Sequence, residues 1–182
     1  MITTIIDKSI LFIAQDWLDI DNLQQISTHK LDLTLSEATP NRINNCRDFL
    51  DQKLSNSECL FYVLNTGSGF VQNIAIDKTQ IAKLKYNLLQ SHAYGIGDGV
   101  PHEIVKWMLF LKIQSLSCRY SGVHLQTVQR LIDFYNYDIT PVIYANGSPG
   151  ASGYLSPLSH LALPLIGLGE VILIKKEPQK KS

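Results

Sequence analysis

Apolar positions recur along the chain at two periods, and the change between them separates a strand-like opening from a run of helices. Up to residue 35 short apolar groups alternate with polar ones, at Ile2, Ile5-Ile6 and Ile10 to Ile13. Leu31-Asp32-Leu33-Thr34-Leu35 has the period of two that predicts a strand. From Ser36 the period lengthens. Ser36 is placed to cap, Pro40 suits a first helical turn, and Ile43, Cys46, Leu50 and Leu54 recur at helical spacing until Asn56-Ser57 ends the pattern. Cys59 to Leu64 reads as a short buried strand, stopped by Asn65-Thr66-Gly67-Ser68-Gly69.

Thr79 to His92 carries Ile81, Leu84, Leu88 and Leu89 on one helical face, with Gly95-Ile96-Gly97-Asp98-Gly99 as its terminator. Pro101 opens the next helix, whose wide apolar stripe (Ile104, Val105, Met108, Leu109, Ile113, Leu116) continues through Cys118 to a break at Ser121-Gly122. A helix over Val123 to Tyr135 follows, then an extended run from Ile139 to Ala145. Leu155 to Leu168 reads as a buried helix that contains Pro164. The pattern predicts a mainly α domain with a few short strands, without internal repeats or long linkers. Residues 1–170 form that single domain, and 171–182 form a disordered Lys-rich tail.

Charge and composition narrow the function classes. Sixteen basic residues balance 16 acidic ones, so nothing points to nucleic acid or to an anionic membrane surface. Cys46, Cys59 and Cys118 are odd in number and lack C-x-x-C spacing, which predicts buried thiols in place of a disulfide framework or structural zinc. The apolar patch at Ile10 to Ala14 is too short for a signal-peptide core and runs into Asp16, Asp19 and Asp21, and no apolar run reaches bilayer length. The expectation is a cytoplasmic protein. No two of His29, His92, His102, His124 and His160 stand at i, i+4 on one helix, and none has a cysteine at ligand spacing, so no metal site is expected.

The chemistry concentrates in Gly147 to His160, rich in Gly, Ser and Pro, whose backbone is under unusual conformational demand. Within it lies Ala151-Ser152-Gly153. In a tight bend the Gly153 nitrogen can attack the Ala151 carbonyl carbon, since neither end carries a bulky side chain. Two dehydrations then give an imidazolone ring bearing a methylidene derived from Ser152, an electrophile that no unmodified side chain supplies. Alone, the triplet is also an ordinary loop sequence. The Gly67-Ser68-Gly69 loop lacks the Gly-Lys-Ser/Thr of a phosphate cradle, and Tyr62 beside it is either a core aromatic or a side chain presented by loop motion. His92 ends a helix, the place of a C-terminal cap.

Gly147 to Glu170, GSPGASGYLSPLSHLALPLIGLGE, resembles the signature of the histidine and aromatic amino-acid ammonia-lyases. Tyr62 to Phe70 resembles the tyrosine loop of that family, and Asn87 to Gly97 its substrate-pocket helix end, in the same order along the chain. The resemblance runs from about Leu31 to Glu170. It implies the amino-terminal domain of the ammonia-lyase fold. It also implies a methylidene-imidazolone formed autocatalytically from Ala151, Ser152 and Gly153, Tyr62 as general base or its positioner, and Ser91-His92 in the substrate pocket, a pair of the histidine branch. The implied reaction is non-oxidative deamination of L-histidine to urocanate and ammonia. Three positions depart from the pattern: Val63 stands for the usual glycine after the tyrosine, Gly67-Ser68-Gly69 for Gly-Phe-Gly, and Tyr154 for the Asp that follows the triplet. The carboxy-terminal part of the family's site has no counterpart here. The expectation is therefore a truncated chain, inactive alone, completed by a separate carboxy-terminal chain or a homo-oligomer. The alternatives are a tyrosine or phenylalanine ammonia-lyase, an aminomutase of the same family, or a non-catalytic remnant acting as an interaction module.

Overall fold

A computed structural model of the chain describes residues 10–13, 23, 26, 31–56, 59–118, 120–150 and 153–173. In chain order its elements are β1 (Ile10–Ile13), β2 (Asp32–Leu35), α1 (Thr39–Asn56), α2 (Ile81–His92), β3 (Ile96–Gly99), α3 (His102–Ser117), α4 (Leu125–Asn136), β4 (Ile139–Pro141), β5 (Tyr144–Asn146), α5 (Ser156–Ala162) and β6 (Val171–Leu173). Single 3-10 turns occur at Gly69–Val71 and Leu163–Ile166. The fold is helix-dominated with short strands. Where length suggested one domain, the chain divides into two compact units, each discontinuous in sequence. Among the described residues no helix is long and apolar enough to cross a membrane.

The first unit comprises Met1–Asp48, Pro101–Thr140 and Ile172–Ser182. The apolar stripe of α3 folds into its core as Val105, Leu109, Phe110 and Ile113, and α4 adds Val128, Leu131, Ile132 and Phe134. Burial of one such side chain contributes roughly 1.5–3 kcal/mol, so this helix pair is the main source of the unit's stability. β1 runs parallel to β2, with Leu11 opposite Leu33 and Ile13 opposite Leu35. Asn136, the last residue of α4, donates through Nδ2 to the Leu33 carbonyl at 2.9 Å and accepts the Leu33 N–H at 2.7 Å. Its side chain thereby satisfies both backbone groups of a strand residue.

The second unit comprises Phe49–Val100 and Pro141–Val171. Here β3 and β5 pair antiparallel, Ile96 opposite Asn146 and Gly99 opposite Tyr144, with a register irregularity between. α2 packs against α5. The pair β4 and β6 forms a third two-stranded sheet.

Several segments differ from the pattern-based expectation, each for a physical reason. Expected as a buried strand or extended segment, Cys59 to Leu64 forms no strand, and a turn begins at Tyr62. Asn65 Oδ1 accepts the Phe61 N–H at 2.6 Å and its Nδ2 donates to the Cys59 carbonyl at 3.0 Å, diverting to a side chain the groups that a ladder would use. Gly95 to Gly99 does more than end a helix: Ile96–Gly99 is a strand because β5 lies beside it. The expected helix from Leu155 to Leu168 changes to a 3-10 turn at Leu163, since Pro164 has no N–H to continue the α ladder. Cys59 is exposed and Cys46 and Cys118 are half-buried, so none is the fully buried thiol expected. Val171–Leu173 is a strand and not the start of a disordered tail, and residues 174–182 lie outside the described residues.

Candidate active site

The tyrosine loop is closed by its own backbone and side chains. Gly67 N–H donates to the Ile74 carbonyl at 3.2 Å, Ile76 N–H to the Asn65 carbonyl at 2.9 Å, and Thr66, buried, bridges to Ala75. This frame holds Tyr62 outward. Its side chain is 61% exposed, which excludes a core aromatic, and the Gly69 N–H approaches its hydroxyl at 3.5 Å. Val63 has φ of 63°, the left-handed conformation that a glycine would take there. A β-branched residue in this region is strained, so the loop keeps a glycine-type shape against the preference of its residue.

α2 ends in a cap built from the two adjacent pair residues. Ser91 Oγ donates to the Leu88 carbonyl at 2.9 Å, and His92 Nδ1 lies 2.8 Å from the same oxygen. A carbonyl only accepts, so His92 carries its proton on Nδ1, and Ser91 Oγ at 3.1 Å stands beside it. Among the described residues no hydrogen bond reaches Nε2, which is left as an acceptor.

After this cap the chain is fastened to the arm that carries the triplet. Tyr94 Oη donates to the Ser148 carbonyl at 2.6 Å, Gly95 N–H donates to His160 Nε2 at 3.0 Å, and β3 pairs with β5. The approach at Gly95 is close: a Cβ there would stand 3.0 Å from each of His160 Nε2, Ser156 Oγ and Tyr144 Cβ, tighter than ordinary contact. The Tyr144 ring meets His160 edge-on, with centroids 5.2 Å apart. Burial pushes the His160 pKa below the ordinary value of 6.5. Ser156 is fully buried, and among the described residues its hydroxyl has no hydrogen-bond partner. Sequence patterning gave Gly95 only a helix-ending role and considered His160 only as a metal ligand. Their 65-residue separation carries no local signal.

Ala151 and Ser152 lie outside the described residues; the residues on either side test whether a methylidene-imidazolone fits. Gly150 and Gly153 have φ of 55° and 98°, as a tight bend needs. Apart from its two chain neighbours, nothing lies within 4 Å of a Cβ built on Gly153. Tyr154, which stands for the family's Asp, turns its ring toward Gly147 and donates to the Ala145 carbonyl at 3.0 Å. These residues fit the group. Tyr62, Ser91, His92 and Gly153 all belong to the second unit, and among the described residues no hydrogen bond joins Tyr62 to the other three. No group of three or more His, Cys, Asp or Glu among the described residues is arranged to hold a metal ion.

A profile described as aromatic amino acid lyase matches residues 18–181, and the chain belongs to that family. It is 42% identical over 154 residues to a histidine ammonia-lyase of Deinococcus radiodurans, an alignment covering 85% of this chain and 29% of the relative. A histidine ammonia-lyase structure from Trypanosoma cruzi superimposes with a TM-score of 0.77 at 29% identity, over 91% of this chain and 32% of that one. An ergothioneine-degrading ergothionase from Treponema denticola does so with a TM-score of 0.81 at 26% identity, over 90% and 32%. The chain thus spans about a third of the length of the proteins it matches.

Proposed function

We propose that this chain carries the electrophile-bearing part of a histidine ammonia-lyase, which deaminates L-histidine to urocanate and ammonia without oxidation. One observation carries the reading. The segment that follows Ser91-His92 and the arm around Ala151-Ser152-Gly153 are joined by the Tyr94–Ser148 and Gly95–His160 hydrogen bonds and by the β3–β5 pairing. A substrate ring held by the first is thereby kept at a fixed place relative to the second, and such positioning supports large rate effects.

Each side chain has a stated task. His92, its Nδ1 proton directed to Leu88, offers Nε2 to the N–H of a substrate imidazole, and Ser91 Oγ offers a second acceptor beside it. The exposed Tyr62 takes the β-proton at its oxygen, and loop motion brings it to the substrate. The methylidene-imidazolone from Ala151, Ser152 and Gly153 supplies the electron sink that eases departure of the α-amino group. A C–H and a C–N bond break, a carbon–carbon double bond forms, and ammonia leaves. Further protein, a separate carboxy-terminal chain or more copies of this one, completes the site. A second reading, a non-catalytic module that keeps the fold, is favoured by the strained Val63 beside Tyr62.

Intact mass of the purified chain and of Ser152→Ala tests the first reading. A deficit of two waters in the former and none in the latter supports it; an unmodified wild-type mass in the presence of the completing chain favours the module. Urocanate added to the modified chain should shift the His92 imidazole signals more than coumarate does, and the reverse order would move the substrate to the tyrosine branch.

A further inference from the structure

We propose that His160 is a positioning residue, whose unprotonated Nε2 holds the Gly95 amide and with it the segment after Ser91-His92 in register with the Ala-Ser-Gly arm. The proposal rests on the reading above for what is being positioned, and on geometry alone for the link.

Gly95 N–H can donate to Nε2 only if that nitrogen presents a lone pair, so the imidazole is neutral with its proton on Nδ1. Protonation would set two donors against each other at 3.0 Å and break the contact. The ring has little room to turn away. Tyr144 from β5 holds it edge-on, and Ser156, one turn earlier on α5, stands with Tyr144 and His160 around the bare Cα of Gly95. No charge offsets the burial that keeps the ring neutral. From α2, which packs on α5, Lys83 and Lys85 are exposed, and His92 turns its Nδ1 to Leu88. The groups around His160 are thus the Tyr144 ring, met edge-on, and the Ser156 hydroxyl, and no carboxylate stands among them.

The consequence reaches the site because Gly95 lies three residues after His92. Of the fastenings between this segment and the triplet arm, the Gly95–His160 bond is the one that a proton can remove. Neither the Tyr94–Ser148 bond nor the strand pairing uses an imidazole as its acceptor. Acidification therefore loosens the placement of Ser91-His92 relative to the electrophile, without unfolding the helix that bears them.

The test is made on the full chain by NMR, with His160→Gln and His160→Leu as comparisons. Gln offers a carboxamide oxygen that accepts the Gly95 N–H and does not titrate; Leu offers nothing. In the wild type, Nε2 should be unprotonated at pH 7.5. Gly95 amide exchange, corrected for its intrinsic pH dependence, should rise about tenfold as His160 titrates, the loss expected for one hydrogen bond. The Tyr94 amide signal, between His92 and Gly95, should move with the same midpoint. In His160→Gln the slow exchange should persist at pH 7.5, with the His160-linked step absent from both signals. In His160→Leu exchange should be fast throughout. The proposal is overturned if Nε2 is protonated at pH 7.5, if the Leu variant keeps Gly95 protected, or if the step survives in the Gln variant. Should the Leu variant fail to fold, the wild-type and Gln titrations decide. Intact mass on the same samples keeps the two readings apart: protected Gly95 without a mass deficit removes the proposed function and leaves the link, and the opposite pair of results does the reverse.

Discussion

The Tyr154 hydroxyl donates to the Ala145 carbonyl at 3.0 Å, nine residues back along the chain, and closes the base of the loop that contains Ala151-Ser152-Gly153. Its ring lies across Gly147, where a Cβ would come within 2.6 Å of Tyr154 Cε2. The phenol is directed to the foot of the loop, and Gly147 is what makes room for it.

Gly147→Ala should therefore destabilise the chain by about 1–3 kcal/mol, the usual cost of overpacking, because the ring must shift. The same substitution in a Tyr154→Asp background should cost clearly less, and a urea double-mutant cycle measures the coupling. Equal cost in both backgrounds would show that the contact is not the constraint.

Val63 holds a φ of 63° that suits glycine. Val63→Gly should relieve roughly 1–2 kcal/mol of steric strain, less part of that gain because the unfolded chain becomes more flexible. The net expectation is a small rise in the urea midpoint with an unchanged slope. A fall in the midpoint would mean that the valine side chain contributes more by packing than its backbone costs.

His160 links stability to pH with a definite sign. Its folded pKa lies below the ordinary 6.5 because of burial, so on acidification the unfolded chain binds the proton first. Its contribution is complete above pH 6.5 and is lost as pH falls from there through the folded value. Urea midpoints between pH 8 and pH 5 should decline more steeply for the wild type than for His160→Gln, and parallel curves would remove His160 as the cause.

Much of the helical framework was legible because it depends on local periodicity. The stripes over Ile43 to Leu54, Ile81 to Leu89, Val105 to Ile113 and Val128 to Ile132 each became a helix, displaced by a few residues at the ends. Where periodicity misled, a side chain or a remote partner intervened. Asn65 took the backbone groups of Cys59 and Phe61, and Tyr144–Asn146 recruited a glycine-rich stretch as a strand. Resemblance singled out Tyr62, Ser91, His92 and the triplet, but not how they are supported.

The sequence by itself determined the order of helices, the place of the Ala-Ser-Gly triplet and the family to which the chain belongs, since each rests on residues close together in the chain. Only the tertiary structure decided that His160 holds Gly95, that Tyr94 and Tyr154 tie the loop, and that Val63 takes a glycine's conformation. Those relationships arise from contacts across tens of residues, or from a fold that overrides one residue's backbone preference, and neither leaves a period to read.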